Sequence, residues 1–313
     1  MQNNRKIITI FGGSGFIGRH LIRRLTKNDY RIIVATRSPY LCGYLKPLGN
    51  PGYVELIKTN IFNADEIVSV IRNSSIVINL VGILFEKGKQ KFSTVHTDFP
   101  DILSKICNDQ GIQKLIHVSA LGVEGKAQSK YMSSKLEGER KIKNNFANSY
   151  ILRPSIVFGP DDKFFNQFAS LAQFSPILPL VGGGETKFQP VYVGDVANSI
   201  LKILEMKNTD QNTFELGGPT VHSFKELMQI LLKEIKRKRL LVSIPFGLAK
   251  FQAKFLQLLP KPLLTEDQVE ILKYENVLTG QYPTLRDLKI NPTTIESVLP
   301  KYIYRFRKYG QFG

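Results

Sequence analysis

Ile7-Ile8-Thr9-Ile10-Phe11-Gly12-Gly13-Ser14-Gly15-Phe16-Ile17-Gly18 passes from a β-branched apolar run, through a glycine-rich turn, into Arg19 to Leu25. The first part reads as a buried strand and the last as a helix. Glycine lets the backbone turn sharply and approach a ligand with no side chain between. The helix then aims its free N–H groups and positive dipole end at the turn, an arrangement that receives a pyrophosphate. Gly12, Ser14, Gly15, Phe16, Ile17 and Gly18 are therefore candidate dinucleotide contacts. A glycine triplet alone would mark only a loop; strand before and helix after make it a binding turn.

The second strand, Arg31-Ile32-Ile33-Val34-Ala35-Thr36, refines the ligand. Sites that prefer NAD usually end this strand in an acidic residue that binds the ribose 2′-hydroxyl. Here Thr36-Arg37-Ser38 follows, with no carboxylate to repel a 2′-phosphate. Arg37 can offer that phosphate a charge-assisted fork, worth about 1.5–3 kcal/mol. NADP(H) is favoured and NAD(H) remains possible. The alternative is that Arg37 is a solvated charge at a strand end.

Beyond the turn the pattern is regular. Val54 to Lys58, Ile76 to Leu80, Lys114 to Val118 and Tyr150 to Arg153 read as strands, while Phe92 to Gln110 and Lys130 to Lys143 read as helices. This alternation predicts an α/β fold, a Rossmann-type doubly wound parallel sheet with helices on both faces. Ligands on such sheets bind beyond the carboxyl ends of the strands. That makes Asn60 and Ile61, then Leu80, Val81 and Gly82, then Val118, and finally Pro154 further candidate cofactor contacts.

After Pro154 the regularity loosens, with Gly159-Pro160, Pro176, Pro179 and Gly182-Gly183-Gly184. Two capping boxes, Ser223 to Glu226 and Thr265 to Gln268, mark later helix starts. The expected organisation is a nucleotide-binding domain over 1–158 with a return segment near 186–206, and a smaller discontinuous α+β domain with a basic tail over 159–313. Phe246 to Leu259 reads as an amphipathic helix. A core helix is the default explanation; a helix lying on a membrane surface is the sharper one.

Composition narrows the classes. The chain has 313 residues, 42% of them apolar, enough for one large α/β body with an appendage. Cys42 and Cys107 are far apart and read as free thiols. With four histidines and no paired motif, no metal site is expected. A strand starting at Ile7 leaves no room for a signal or transit peptide, and no apolar run is long enough to span a bilayer. The formal net charge of +17 clusters in Lys233 to Arg239 and in the aromatic-interleaved tail Lys301 to Tyr309. Such surfaces suit phosphates, including lipid headgroups, or are simply solvated helix faces. No nucleic-acid motif accompanies the charge, so nucleic acid is not an expected partner.

The chemistry falls at Tyr131-Met132-Ser133-Ser134-Lys135. Residues four apart share a helix face, so an ammonium beside the phenol would lower the tyrosine pKa and make it a general acid–base. Tyr131 and Lys135 are the candidate catalytic pair, and Lys135 could also hold the nicotinamide ribose.

These features together resemble the extended short-chain dehydrogenase/reductase superfamily: the glycine turn, the Tyr131/Lys135 pair, Leu152-Arg153-Pro154-Ser155-Ile156-Val157-Phe158-Gly159-Pro160, and Pro190-Val191-Tyr192-Val193-Gly194-Asp195-Val196-Ala197. Within it, Asn79 to Leu84, Ser119-Ala120-Leu121-Gly122 and Leu263 to Leu278 are similar to an atypical branch, the nucleotide-binding accessory subunit of respiratory complex I (the alpha-subcomplex subunit nine family). The resemblance implies complex I subunits as partners, a nucleotide held as a structural element, and a peripheral position. That position would be the cytoplasmic side of a bacterial inner membrane, or the matrix side in a mitochondrion. Active extended members usually carry a serine or threonine where Ala120 falls, so a positioned donor for a substrate carbonyl is missing here. The intact Tyr131/Lys135 pair keeps open the alternative of a working NADPH-dependent reductase, dehydratase or sugar-nucleotide epimerase.

Overall fold

In the computed structural model, residues 5–125, 129–206, 211–259, 262 and 264–310 are described. Leu263, which opens one of the stretches compared above, lies outside them, as do the extreme ends of both expected domains.

Strands β1 (Ile7–Phe11), β2 (Arg31–Thr36), β3 (Val54–Lys58), β4 (Ile76–Asn79), β5 (Lys114–Val118) and β6 (Ser149–Pro154) form the sheet with a seventh strand, Thr213–Leu216. The order is seventh strand-β6-β5-β4-β1-β2-β3, and every pairing is parallel. Because β1 pairs with both β2 and β4, the chain reverses its direction of travel there and opens a crevice at the carboxyl ends of β1 and β4.

Helices α1 (Phe16–Leu25), α2 (Ala64–Ile71), α3 (Phe99–Asp109) and α4 (Lys130–Asn145) cover the sheet. Ile8 and Ile10 of β1 share one buried cluster with Leu21, Ile22 and Leu25 of α1 and with Val196, Ile200 and Ile203 of the later helix Val193–Glu205. Phe11 faces the other way, into a cluster with Ile67 of α2, Phe99 and Leu103 of α3 and Ile142 of α4. Alternation along the strand thus supplies both layers. A turn of π-helix, Ser93–Asp98, leads directly into α3, where the sequence pattern reads as one uninterrupted helix.

A separate cluster packs Phe158, Phe165 and Ala169 against Phe224, Leu227 and Leu231 and against Ile295, Leu299 and Ile303. Both capping boxes form, at Ser223/Glu226 and Thr265/Gln268. The helix read over Phe246 to Leu259 runs Phe246–Leu256, and it is not the core helix of the default reading. Only Ala249 and Ala253 are buried, whereas Phe251 and Phe255 are 59% and 61% exposed. The inner stripe is alanine, so large side chains fall outside.

Candidate functional site

The glycine turn is built as its residue types require. Gly12 has φ +77, and a Cβ there would lie 2.9 Å from the Leu80 carbonyl carbon, so the turn rests against the segment after β4. The Gly15 N–H donates to the Gly12 carbonyl at 3.0 Å. Gly15 caps α1 without a side chain, which leaves the N–H groups of Phe16, Ile17 and Gly18 without intrahelical partners. A Cβ on Gly18 would stand 2.3 Å from the Gly13 carbonyl oxygen, so α1 can approach the turn this closely only with glycine there. The Tyr44 hydroxyl donates to the Ser14 carbonyl across the turn at 3.0 Å.

Arg37 stands just past β2, exposed, and makes no ion pair among the described residues. Past β4, the Asn79 side chain accepts the Val81 N–H at 3.0 Å and so shapes the Leu80–Gly82 backbone. Its amide nitrogen lies 3.1 Å from His117 Nδ1. Gly82 faces Lys135: a Cβ there would be 3.3 Å from Nζ. Lys135 is buried and donates from Nζ to the Val118 carbonyl at 3.1 Å. Gly12, Leu80, Val81, Gly82, Lys135 and Val118 are therefore joined by contact. Pro154 ends β6, where its carbonyl accepts the Leu121 N–H. Asn60 and Ile61 lie past β3, the edge strand, and Asn60 is engaged in its own turn with Glu66 and Phe62.

The electrostatics of the tyrosine–lysine pair run against the simple expectation. Burial pulls Lys135 down to about 8, with Glu139 opposing the shift. Tyr131 is pushed up to about 12, by burial first and then by the Asp267 carboxylate. The lysine therefore keeps its proton at neutral pH, but the phenol is no readier to ionise than a free tyrosine. Its ring is held edge-on to His96 and Phe92, at centroid distances of 5.2 and 5.8 Å. Ser119 is buried with no hydrogen-bond partner for Oγ among the described residues.

Three groups that the motifs did not disclose shape the site. Asp267 caps the start of α4: its carboxylate accepts the Ser129 hydroxyl at 2.8 Å and the N–H groups of Lys130 and Tyr131 at 2.7 and 3.2 Å. The Thr265–Gln268 capping box locates the start of Asp267's own helix, Glu266–Ile271, but not the carboxylate's role at α4. Asn276 donates from Nδ2 to the Leu121 carbonyl at 2.9 Å, and its Oδ1 accepts the Ser155 hydroxyl at 2.6 Å. Leu121 and Ser155 follow β5 and β6, so the chain's own later segment joins the loops beyond those strands. Arg153 and Glu139, each 2% exposed, form a buried ion pair that Glu124 joins. These carboxylates keep the guanidinium charged.

Residues 8–217 match the model of the NAD dependent epimerase/dehydratase family. The chain is similar to the mitochondrial NADH dehydrogenase [ubiquinone] 1 alpha subcomplex subunit 9 of Mus musculus, 30% identical over 97% of this chain and 81% of the relative. The protein of that name from Arabidopsis thaliana is 31% identical over 98% of this chain and 80% of the relative. In fold the chain is similar to dTDP-glucose 4,6-dehydratase from Streptomyces venezuelae, solved with NAD bound, at a TM-score of 0.74 and 18% identity over 96% of each chain. The chain belongs to the NAD dependent epimerase/dehydratase family and, within it, to the branch of these alpha subcomplex subunit 9 proteins. Among the described residues no helix is long and apolar enough to cross a membrane, and no group of side chains could hold a metal ion.

Proposed function

We propose that the chain is an NADP(H)-binding accessory and assembly subunit of respiratory NADH:ubiquinone oxidoreductase, and that its nucleotide is a structural element. The observation that carries this reading is the bridge made by Asn276 between Leu121 and Ser155. Ligands in this fold lie beyond the carboxyl ends of the strands, and beyond β5 and β6 the chain's own segment takes part of that ground. Ala120 adds no hydroxyl and Tyr131 is shifted away from easy ionisation. Preference for NADP(H) rests on the free, exposed Arg37. Phe16, Ile17 and Gly18 offer their N–H groups to the pyrophosphate, and the bound nucleotide would stabilise the fold by mass action. Lys135, against Gly82 and the Val118 carbonyl, would hold the nicotinamide ribose.

The same reading seats the chain against an anionic membrane surface, the cytoplasmic face of a bacterial inner membrane. Between Glu234 and Glu266 there is no carboxylate, while Lys236, Arg237, Lys238, Arg239, Lys250, Lys254 and Lys261 fall in that interval. Leu248, Phe251, Phe255 and Leu258 are exposed in the same stretch. Cations beside exposed aromatic and aliphatic side chains match an interfacial helix, and each basic residue near such a surface contributes about 1 kcal/mol.

A second reading, an active NADPH-dependent reductase, dehydratase or sugar-nucleotide epimerase, is favoured by Tyr131 and Lys135 standing one helical turn apart. Complementation separates the two. In cells lacking the chain, Tyr131→Phe is expected to restore assembled complex and NADH-driven ubiquinone reduction, whereas Gly15→Val is not. Rescue by the glycine variant together with failure of Tyr131→Phe would establish the enzyme instead. Lys250→Glu/Lys254→Glu is expected to reduce pelleting with phosphatidylglycerol-containing vesicles. Undiminished pelleting would remove the membrane from the reading.

A further inference from the structure

His96 is fully buried inside the π-turn Ser93–Asp98. Such a turn interrupts helical hydrogen bonding and recurs where a helix must present a side chain at a particular angle. The angle here is set by a close approach: a Cβ on Gly138 of α4 would lie 1.9 Å from the His96 carbonyl oxygen, so only glycine lets the two helices meet. The imidazole then reaches in two directions. Nε2 accepts the Ile83 N–H at 3.0 Å, on the backbone that continues from Leu80, Val81 and Gly82. Nδ1 lies 3.1 Å from Ser134 Oγ, and that hydroxyl donates to the Tyr131 carbonyl at 2.8 Å. Because the serine proton is spent on the carbonyl, the serine oxygen must accept from Nδ1–H. One neutral tautomer, protonated on Nδ1 and bare on Nε2, satisfies both contacts.

The ring faces are used as well. Phe92 stacks on the imidazole at 5.5 Å, and the Tyr131 ring stands against it at 5.2 Å and 89°.

We infer that His96 is a positioning residue which couples the nucleotide-facing loop Leu80–Ile83 to the Tyr131/Lys135 helix, so that the loop and the helix form one rigid wall of the site. This rests on the nucleotide site proposed above and assigns a determinant of its affinity. Burial and the nearby Lys135 charge hold the imidazole down to about 2, so it stays neutral and keeps its Nε2 lone pair at every working pH.

The discriminating pair is His96→Gln and His96→Phe, with affinity read by NADPH fluorescence titration well below each variant's melting temperature. Gln reaches the Nε2 position and can accept the Ile83 N–H; Phe keeps the ring stack and offers no acceptor. If His96 positions the loop, Gln holds NADPH within about threefold of the parent, while Phe weakens it about tenfold, the size of one lost buried hydrogen bond. If the residue only packs, the order reverses, and near-parent affinity in Phe with loss in Gln would overturn the inference. Should Phe not fold, Ser134→Ala supplies the second test: it removes the Nδ1 partner, together with that hydroxyl's bond to the Tyr131 carbonyl, while leaving the imidazole in place, and is expected to weaken NADPH several-fold. Unchanged affinity there would count against the coupling. Parent protein that binds neither NADPH nor NADH would overturn the nucleotide reading itself, an outcome distinct from parent binding with indifferent variants.

Discussion

Asp267 accepts the backbone N–H of Tyr131 at 3.2 Å although 136 residues separate them. The carboxylate completes the first turn of α4 and also faces the phenol whose ionisation it opposes. A negative group at a helix N-terminus is stabilising through both hydrogen bonding and the dipole. Asp267→Ala should therefore cost about 1–2 kcal/mol in urea unfolding, in the range of lost caps. The Tyr131 ionisation, pushed up to about 12 and assigned by its absence in Tyr131→Phe, should move downward while staying above 10 because burial remains. An unmoved titration would mean that Asp267 does not set the phenol.

Glycines of the turn should separate stability from binding. Gly18→Ala drives a Cβ to 2.3 Å from the backbone oxygen of Gly13, and should destabilise by about 3 kcal/mol, the upper end of the usual range for overpacked sites. Gly15→Ala meets only the Gly12 oxygen at 3.1 Å. It should melt close to the parent yet retain less nucleotide on purification. Equal retention in the Gly15 variant would place the pyrophosphate elsewhere.

Arg37 should decide cofactor choice. NADPH is expected to raise the melting temperature more than NADH at equal concentration, and Arg37→Ala to narrow that difference by weakening NADPH. Loss of one charge-assisted contact corresponds to about 1.5–3 kcal/mol, or roughly ten- to hundredfold in affinity. Equal shifts with both nucleotides in the parent protein would refute the preference.

The buried pair should be costly to break. Glu139→Ala leaves Arg153 with only Glu124, whose side chain is 43% exposed. Removing one partner of a buried pair costs about 3–5 kcal/mol, so chemical unfolding should show a loss of that order. A loss under about 1 kcal/mol, typical of surface pairs, would show that solvent reaches the guanidinium.

Acid should destabilise the fold earlier than its carboxylates alone require. His96 is held down to about 2, and His117 well below its ordinary value, by burial and then by Lys135. Unfolded, both titrate near 6.5. The unfolded state therefore binds more protons below that pH, and stability is complete above about 6.5 and lost as pH falls. Each histidine contributes at most about 1.4 kcal/mol per pH unit. Unfolding free energy is expected to drop by about 3 kcal/mol between pH 7.5 and 5.5 for the two together, with about 1 kcal/mol more from His20, which burial and then Arg24 hold down to about 4. A flat profile over that interval would mean that the imidazoles take up a proton in the folded protein as readily as in the unfolded one.

Local chemistry made much of this protein readable from its residues. The β1 run, the glycine turn and α1 announce themselves because strand period, turn conformation and helix start are each set within a few residues. The bounds of β3 and β5 and both capping boxes follow for the same reason. Tyr131 and Lys135 could be paired because helical spacing is also local. Packing decided the rest. Phe246–Leu256 reads as a core helix until one sees that alanines, not phenylalanines, face inward. Helical spacing beside a lysine predicts a lowered tyrosine pKa, but burial and a carboxylate 136 residues away raise it. No motif shows the roles of His96, Asp267 and Asn276, because each acts on a backbone group brought near only by the crossing of distant segments. Spacing along the chain determines which residues can share a strand or a helix face. Which desolvated group meets which charge, and whether the crevice beyond the strands stays open, depends on how those faces close.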